Sequence, residues 1–172
     1  MHRSIGLAVV AEPYRVPDHP RWFGDATGTV AAHWAGGEGV PTCSLLEAGQ
    51  GFVAVRWGPL AIVGCYVSPN RSLADYELYL DGLGDCVRRC LPRPLIVLGD
   101  LNSHARVWGN SRDDPKGVTL LDWAAGLDLR LVNVGSESTC VLWQGESPPP
   151  PASWRCPGRA PVARPFSLGE PP

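Results

Sequence analysis

The sequence has almost no lysine and almost no net charge. Lys116 is the only lysine among 15 basic residues, and the formal net charge at pH 7 is −2. Such a balance does not indicate nucleic-acid binding over the whole surface, so any contact with a polyanion must depend on local groups of arginine. Arginine suits that contact because its guanidinium can donate two parallel hydrogen bonds to one phosphate.

The cysteines form no Cys-x-x-Cys pair, which argues against a structural zinc site. We expect reduced thiols, which are typical of an intracellular protein, at Cys43, Cys65, Cys86, Cys90, Cys140 and Cys156. No apolar run approaches the length of a membrane span, so no membrane partner is expected. At 172 residues and 44% hydrophobic content, the chain is long enough for one domain with a buried core.

Apolar runs alternate with amphipathic helices along the chain, a pattern that predicts a mixed α/β fold with helices packed outside strands. The predicted helices are 72–91, with an apolar stripe at Leu73, Tyr76, Leu80, Leu83, Val87 and Cys90, and 117–128, with Leu120, Leu121, Ala124 and Leu127 inward. Ser72 and Asp75 resemble an N-terminal cap. Segment 13–24 is expected to be a loop, and the predicted strands are 5–11, 28–34, 52–57, 60–67, 95–98, 129–132 and 139–143.

The most informative segment is Leu95–His104, which reads LIVLGDLNSH. Four apolar residues predict a strand buried on both faces, and a glycine allows the turn that follows it. Asp100, Asn102 and His104 then alternate, so an extended segment would point all three the same way. A carboxylate, an amide and an imidazole together suit phosphate-ester hydrolysis. The alternative is a polar loop with an asparagine in a turn.

Two further apolar runs also deliver a polar group at or near their ends. The run 5–11 stops at Glu12, and the run 60–67 contains Tyr66 close to its end. If these strands lie side by side, Glu12, Tyr66, Asp100 and Asn102 converge on one rim. Taken singly, each has an ordinary interpretation: a solvated strand end for the glutamate, and a core aromatic for the tyrosine.

Four segments follow one another along the chain: VAEPYRVPDHPRWFGD, CYVSPN, LIVLGDLNSHARVWGNSRDDPKG and LLDWAAGLDLRLVN. Together, in this order, they resemble the endonuclease/exonuclease/phosphatase superfamily. Within it, the chain is similar to the apurinic-endonuclease-like domain of non-LTR retrotransposons. The resemblance covers about Ile5 to Glu146. It implies a DNase I-like mixed β-sandwich flanked by helices.

The resemblance also implies roles for individual residues. Glu12 corresponds to a ligand of Mg²⁺, or of Mn²⁺ in its place; Tyr66 to a tyrosine near the scissile phosphate; Asp100 to the aspartate that orients or deprotonates the attacking water; and Asn102 to the asparagine that holds the phosphate. His104 and Trp108 match a branch-specific run, in which His104 is a catalytic candidate. Asn110, Ser111 and Arg112 match a polar loop, with Asn110 and Arg112 as candidate DNA contacts. The implied partner is the target DNA of a mobile element, in the nucleus, with no protein partner indicated.

The sequence departs from the family pattern at both ends. The family's opening strand with an asparagine has no counterpart before Ile5, and Pro148–Pro151 stands where a Ser-x-x-Asp-Leu-Thr segment and a later histidine would follow. We therefore expect residues 1–146 to be an incomplete domain with weak or lost activity. Three functions stay open: an endonuclease, a non-catalytic remnant that keeps a DNA-facing surface, and a phosphatase of the same superfamily.

The segment 147–172 holds nine of the 18 prolines and is expected to lack regular structure, because it has too little apolar surface to offset its ordering entropy. A proline-rich ligand for an SH3-like module is one interpretation. We prefer a second, in which the segment is translated in a shifted frame of a GC-rich gene.

Overall fold

A computed structural model of the chain describes residues 6–131 and 162–163. Two stacked β-sheets form its body. The smaller is antiparallel, in the order β1-β3-β2, with β1 at Leu7–Ala11, β2 at Trp22–Gly24 and β3 at Val30–Trp34. The larger has the order β4-β5-β6-β7-β9-β8, with β4 at Cys43–Ala48, β5 at Phe52–Trp57, β6 at Leu60–Tyr66, β7 at Leu95–Asp100, β8 at Arg130–Leu131 and β9 at Val162–Ala163.

Two helices cover one face of the larger sheet. Helix α1 spans Leu73–Cys90 and α2 spans Pro115–Gly126. One core cluster joins these helices to the sheet, and the second fills the space between the two sheets, where Val30 and Ala32 pack with Val53, Val55 and Ile62. The mixed α/β sandwich with helices outside the strands is therefore confirmed.

The connection from β6 through α1 to β7 positions the functional site. The two strands are parallel, which requires a crossover long enough to hold a helix. As a result, the carboxyl ends of β6 and β7 meet at the same edge of the sheet.

Both helices begin at a side-chain cap, of which the first was predicted. The Ser72 hydroxyl accepts a hydrogen bond from the backbone N–H of Asp75 at 3.1 Å, as the sequence predicted. Asp114 caps α2 by accepting from the N–H of Gly117 at 2.6 Å, so this helix begins two residues before the predicted Gly117. Pro115 at its first position favours that start, because its φ is already helical and its missing N–H would have no partner there.

Within the body of the fold, the structure corrects the sequence-based interpretation at two strands and at Leu73. Two strands were not predicted: β2, placed in a loop, and β4, whose CSLLEA sequence does not alternate and whose register shifts at a bulge between Leu45 and Glu47. Leu73 was expected inward, but it is exposed. It begins the first turn of α1, and the buried stripe is instead widened by Tyr79 and Cys86.

The segment 147–172 was expected to have no regular structure, but Val162–Ala163 pairs with β7 and β8. An open strand edge offers unpaired N–H and C=O groups to any extended segment. The rest of 147–172 and the predicted strand 139–143 lie outside the described residues, as does the division into 1–146 and 147–172.

Candidate active site

Tyr66 and Asp100 lie side by side at the ends of β6 and β7. They are paired in register in the parallel ladder, so their side chains leave the same face of the sheet. The tyrosine belongs to the core cluster between the two sheets, which places this face toward the smaller sheet. Asp100 is 4% exposed, an unusual burial for an aspartate.

Glu12 reaches this face from the smaller sheet. It follows the last residue of β1, adopts a left-handed φ of 49°, and is held by a hydrogen bond of 2.8 Å from its N–H to the carbonyl of Thr29. The Tyr66 hydroxyl donates to its Oε1 at 2.5 Å. A non-glycine residue with this φ is uncommon and often marks a functional site.

Asn102 joins the two strand-end loops. Its Nδ2 donates to the carbonyl of Val67 at 2.9 Å, and its backbone N–H donates to Oδ1 of Asp100 at 3.2 Å. Its φ of 42° is also left-handed. The structure therefore brings four predicted residues together through a continuous set of contacts: Glu12, Tyr66, Asp100 and Asn102.

Gly99 makes this close approach possible. Its φ is 148°, and a Cβ there would lie 1.8 Å from the carbonyl oxygen of Cys65 on β6. Only glycine allows β7 to pass so near β6 at this point. The next residue on β7 is Asp100, and the next residue on β6 is Tyr66.

Cys65 is excluded as a nucleophile at this site. Burial raises the pKa of its thiol to about 12, and the charge of Asp100 acts in the same direction. The reactive form of cysteine is the thiolate, so this buried thiol is inert. The described cysteines, at positions 43, 65, 86 and 90, are all free, in line with the expectation of reduced thiols.

His104 makes its contacts with the start of α2. Its Nδ1 lies 2.7 Å from Oδ2 of Asp114, and its carbonyl accepts from the N–H of Asp114 at 2.9 Å. Burial raises the pKa of Asp114, but bonds from Gly117 and His104 outweigh it and leave the pKa lowered. His104 is thus tied to a helix cap, and its catalytic role stays a prediction.

The remaining candidates are not part of this set of contacts. Trp108 is buried in the core with the helices. The N–H of Asn110 bonds the carbonyl of Ala105 at 3.3 Å, and Arg112 is exposed in the same loop. Their contacts with DNA, like that of Ser111, stay predictions.

One buried carboxylate was missed by sequence reasoning. Asp25 is 9% exposed and accepts bonds from the Thr27 hydroxyl and from the N–H groups of Thr27, Thr29, Val30 and Gly51. Burial raises its pKa, but these hydrogen bonds outweigh burial and leave the pKa lowered. An Asp followed by small polar residues and glycine is a turn signal that could have identified it.

Asp25 connects this turn to the site. It holds Gly51, whose carbonyl accepts both from the N–H of Tyr66 and from the Tyr79 hydroxyl, each at 2.8 Å. The backbone of Tyr66 is therefore held in place by Gly51, which the hydrogen-bonded Asp25 carboxylate fixes in turn.

The donor set at the site suits a hard divalent cation. Glu12 offers an exposed carboxylate, and oxygen ligands are those that Mg²⁺ prefers. Within the described residues, however, no group of three or more His, Cys, Asp or Glu side chains is arranged to hold a metal. The Glu12 carboxylate and the nearby Asn102 amide are oxygen donors of the kind that fit Mg²⁺.

Comparison with known proteins identifies the family. A profile described as endonuclease-reverse transcriptase matches residues 60–148, from β6 to beyond β8, which is more than half of the 172 residues. The chain belongs to the endonuclease-reverse transcriptase family. The matched region contains three of the four residues that converge at the site.

A solved structure supports the same fold. The endonuclease domain of TRAS1, a telomere-specific non-LTR retrotransposon, superposes with a TM-score of 0.74 at 21% identity, over 92% of this chain and 73% of that one. The architecture is therefore DNase I-like, and membership of this family supports a nuclease function with a nucleic-acid substrate. No curated protein sequence matches the chain. Among the described helices, none is long and apolar enough to cross a membrane.

Proposed function

We propose that the chain is the endonuclease domain of a non-LTR retrotransposon, which hydrolyses a DNA phosphodiester with Mg²⁺ as its cofactor. The observation that supports this most strongly is the contact of Glu12, Tyr66, Asp100 and Asn102 at one edge of the sandwich. Carboxylates, a phenolic hydroxyl and an amide gathered at one edge suit phosphate-ester hydrolysis, and the family is one of nucleases.

Glu12 would hold the cation, with its orientation fixed by the Tyr66 hydroxyl. When bound, Mg²⁺ supplies positive charge that stabilises the non-bridging phosphate oxygens in the transition state. The Tyr66 hydroxyl has a single hydrogen, so an entering phosphate oxygen competes with Oε1 of Glu12 for it. The hydroxyl would then donate to the phosphate as charge builds there.

Asn102 and Asp100 would act on the phosphate and on the water. The Asn102 amide has two N–H donors, and the carbonyl of Val67 uses one, which leaves the second for a phosphate oxygen. Asp100 would orient the attacking water and accept its proton. A buried carboxylate is suited to that step because neighbouring groups fix its position.

We propose that the activity is weak. The described residues present a single exposed carboxylate to the cation, so half-saturation is expected in the millimolar range of Mg²⁺.

The small number of metal-binding side chains at the site favours a second candidate function. Since no cluster of three metal-binding side chains occurs among the described residues, a non-catalytic domain that keeps a DNA-binding surface is the alternative. Nicking of a supercoiled plasmid separates the two: the endonuclease converts it to the relaxed form only with Mg²⁺, and the remnant does not. Release of phosphate from a small monoester, without nicking, would instead indicate a phosphatase.

A further inference from the structure

Two basic side chains lie on tyrosine rings beside the site. The guanidinium carbon of Arg71 lies 5.6 Å from the ring centre of Tyr79, and the Lys116 ammonium lies 5.7 Å from that of Tyr76. The two tyrosines are one turn apart on α1, and both are buried. Each cation is therefore held over a fixed aromatic face, the geometry of a cation–π contact.

Both cations lie at the edge of the sheet that carries the site. Arg71 is in the loop between β6 and α1, five positions after Tyr66. The Lys116 ammonium donates to the carbonyl of Pro69 in the same loop at 2.8 Å. The loop that leaves Tyr66 thus carries one cation and contacts the other.

These two cations differ from the paired arginines of α1. Arg88 binds Asp85 and Arg89 binds Glu47, at 2.8 and 2.7 Å. Neither Arg71 nor Lys116 forms an ion pair with a carboxylate in the part of the chain that the structure describes.

The nearby acids are engaged elsewhere. Asp75 bonds the Ser72 hydroxyl, and Asp114 bonds His104 and the N–H of Gly117. The charge of Arg71 and Lys116 therefore remains available to an anion from outside.

Helix stability does not account for Lys116. It lies in the first turn of α2, where the helix dipole is positive and disfavours a cation. Its bond to the Pro69 carbonyl uses one of three ammonium hydrogens and leaves two for another acceptor.

We propose that Arg71 and Lys116 form a phosphate-binding surface that holds the DNA backbone beside the phosphate to be cut. The proposal deepens the function proposed above, since it names the groups that bind the substrate strand next to the Tyr66–Asp100 edge. The aromatic rings hold both cations in place before binding, so that little side-chain entropy is lost when phosphate is engaged.

The salt dependence of binding tests this surface directly. The probe is a short labelled DNA duplex in EDTA, so that binding is measured without cleavage. Each protein phosphate contact contributes about 0.9 to the slope of log affinity against log salt concentration. We expect Arg71→Met and Lys116→Met each to reduce the slope by about that amount, and Lys116→Arg to keep it.

Arg88→Met is the matched control. It removes the same charge, near the opposite end of the 18-residue α1, about 22 Å from the start of the helix that follows Arg71, at a rise of about 1.5 Å per residue. We expect this variant to keep the wild-type slope. Thermal unfolding of every variant checks that it folds, and if Lys116→Met does not fold, Arg71→Met and Lys116→Arg decide the question.

The outcomes separate this surface from the nuclease activity. Slopes that are unchanged in Arg71→Met and Lys116→Met, or reduced equally in Arg88→Met, overturn the surface even if the protein nicks DNA. A wild-type protein without salt-dependent binding overturns it as well. If the slopes fall as expected but no nicking occurs with Mg²⁺, the surface stands and the nuclease proposal fails.

Discussion

The Tyr66 hydroxyl donates a hydrogen bond of 2.5 Å to Oε1 of Glu12, a residue 54 positions earlier in the sequence. This bond joins the last residue of β6 to the residue after β1, and so links the two sheets across the sandwich at the rim where Asp100 also lies. A tyrosine within an apolar strand normally satisfies its hydroxyl at the surface. Here the partner is a carboxylate, and the pair forms the centre of the candidate site.

Removal of the Tyr66 hydroxyl is expected to impair catalysis more than folding. We expect Tyr66→Phe to lower the nicking rate by about 10²–10³-fold, the usual effect of deleting one donor to a developing charge. Its stability should fall by about 1.5–3 kcal/mol, the value of a hydrogen bond to a charged group. Tyr14→Phe is the control, since Tyr14 is fully exposed. Equal rates for Tyr66→Phe and wild type would contradict the role of the hydroxyl.

Replacement of Asn102 by aspartate tests the link between the two strand-end loops. The amide donates to the carbonyl of Val67, and a carboxylate in its place would oppose that carbonyl with a second acceptor. We expect Asn102→Asp to lose about 1–3 kcal/mol of stability and to lose nicking. Urea unfolding measures the first effect. A variant as stable as wild type would mean that the bond does not form in solution.

Gly99 is expected to tolerate no side chain. An alanine Cβ would lie 1.8 Å from the Cys65 carbonyl oxygen at a φ of 148°, so β7 would have to move away from β6. We expect Gly99→Ala to destabilise the protein by about 3 kcal/mol or more. Gly82→Ala in α1, where no atom lies within 4 Å of the new Cβ, should instead stabilise it by about 0.5–1 kcal/mol. Similar unfolding midpoints for the two variants would contradict the close approach.

Asp25 should contribute stability that depends on pH. Its folded pKa is lowered, because hydrogen bonds from Thr27, Val30 and Gly51 outweigh the opposing effect of burial. The contribution is therefore present above the unfolded pKa of about 3.9 and is lost as the pH falls through the lower folded value.

We expect Asp25→Asn to be less stable by about 1–3 kcal/mol at neutral pH, because its amide would place a donor against backbone donors. The difference from wild type should shrink in acid. Unfolding curves at neutral pH and below pH 4 measure it, and a difference that stays constant across this range would show that the carboxylate charge is not involved.

The sequence predicted the convergence of Glu12, Tyr66, Asp100 and Asn102 because these residues follow elements with strong local signals. Glu12, Tyr66 and Asp100 each stand at the end of an apolar run, and Gly99 marks the tight backbone before the aspartate. Pairing of the strands then follows from burial of those runs. The single bond between Tyr66 and Glu12 required the stacking of the two sheets, which no local pattern contains.

The elements that were missed depend on long-range contacts. Strand β4 has two exposed leucines, Leu45 and Leu46, and a bulge, so its residues do not alternate, and its strand character comes from pairing with β5. Leu73 fits the helical period but lies in the first turn of α1, where it is exposed. The catalytic role of His104 was predicted from its spacing after Asp100. Its partner in the structure is Asp114, ten residues later. That partner could have been found from the Asp-Pro pair that begins α2.

The most direct test of the account is single-turnover nicking of supercoiled plasmid, with protein in excess, as a function of Mg²⁺. We predict that the wild-type protein nicks slowly and needs Mg²⁺ in the millimolar range. Glu12→Gln should reduce nicking mainly by raising the Mg²⁺ concentration that it requires. Asp100→Asn should abolish nicking even at saturating Mg²⁺. Three results would contradict a metal-dependent phosphodiesterase site at Glu12, Tyr66, Asp100 and Asn102. They are nicking that persists in EDTA, nicking that is unchanged in Asp100→Asn, and no nicking by the folded wild-type protein at any Mg²⁺ concentration.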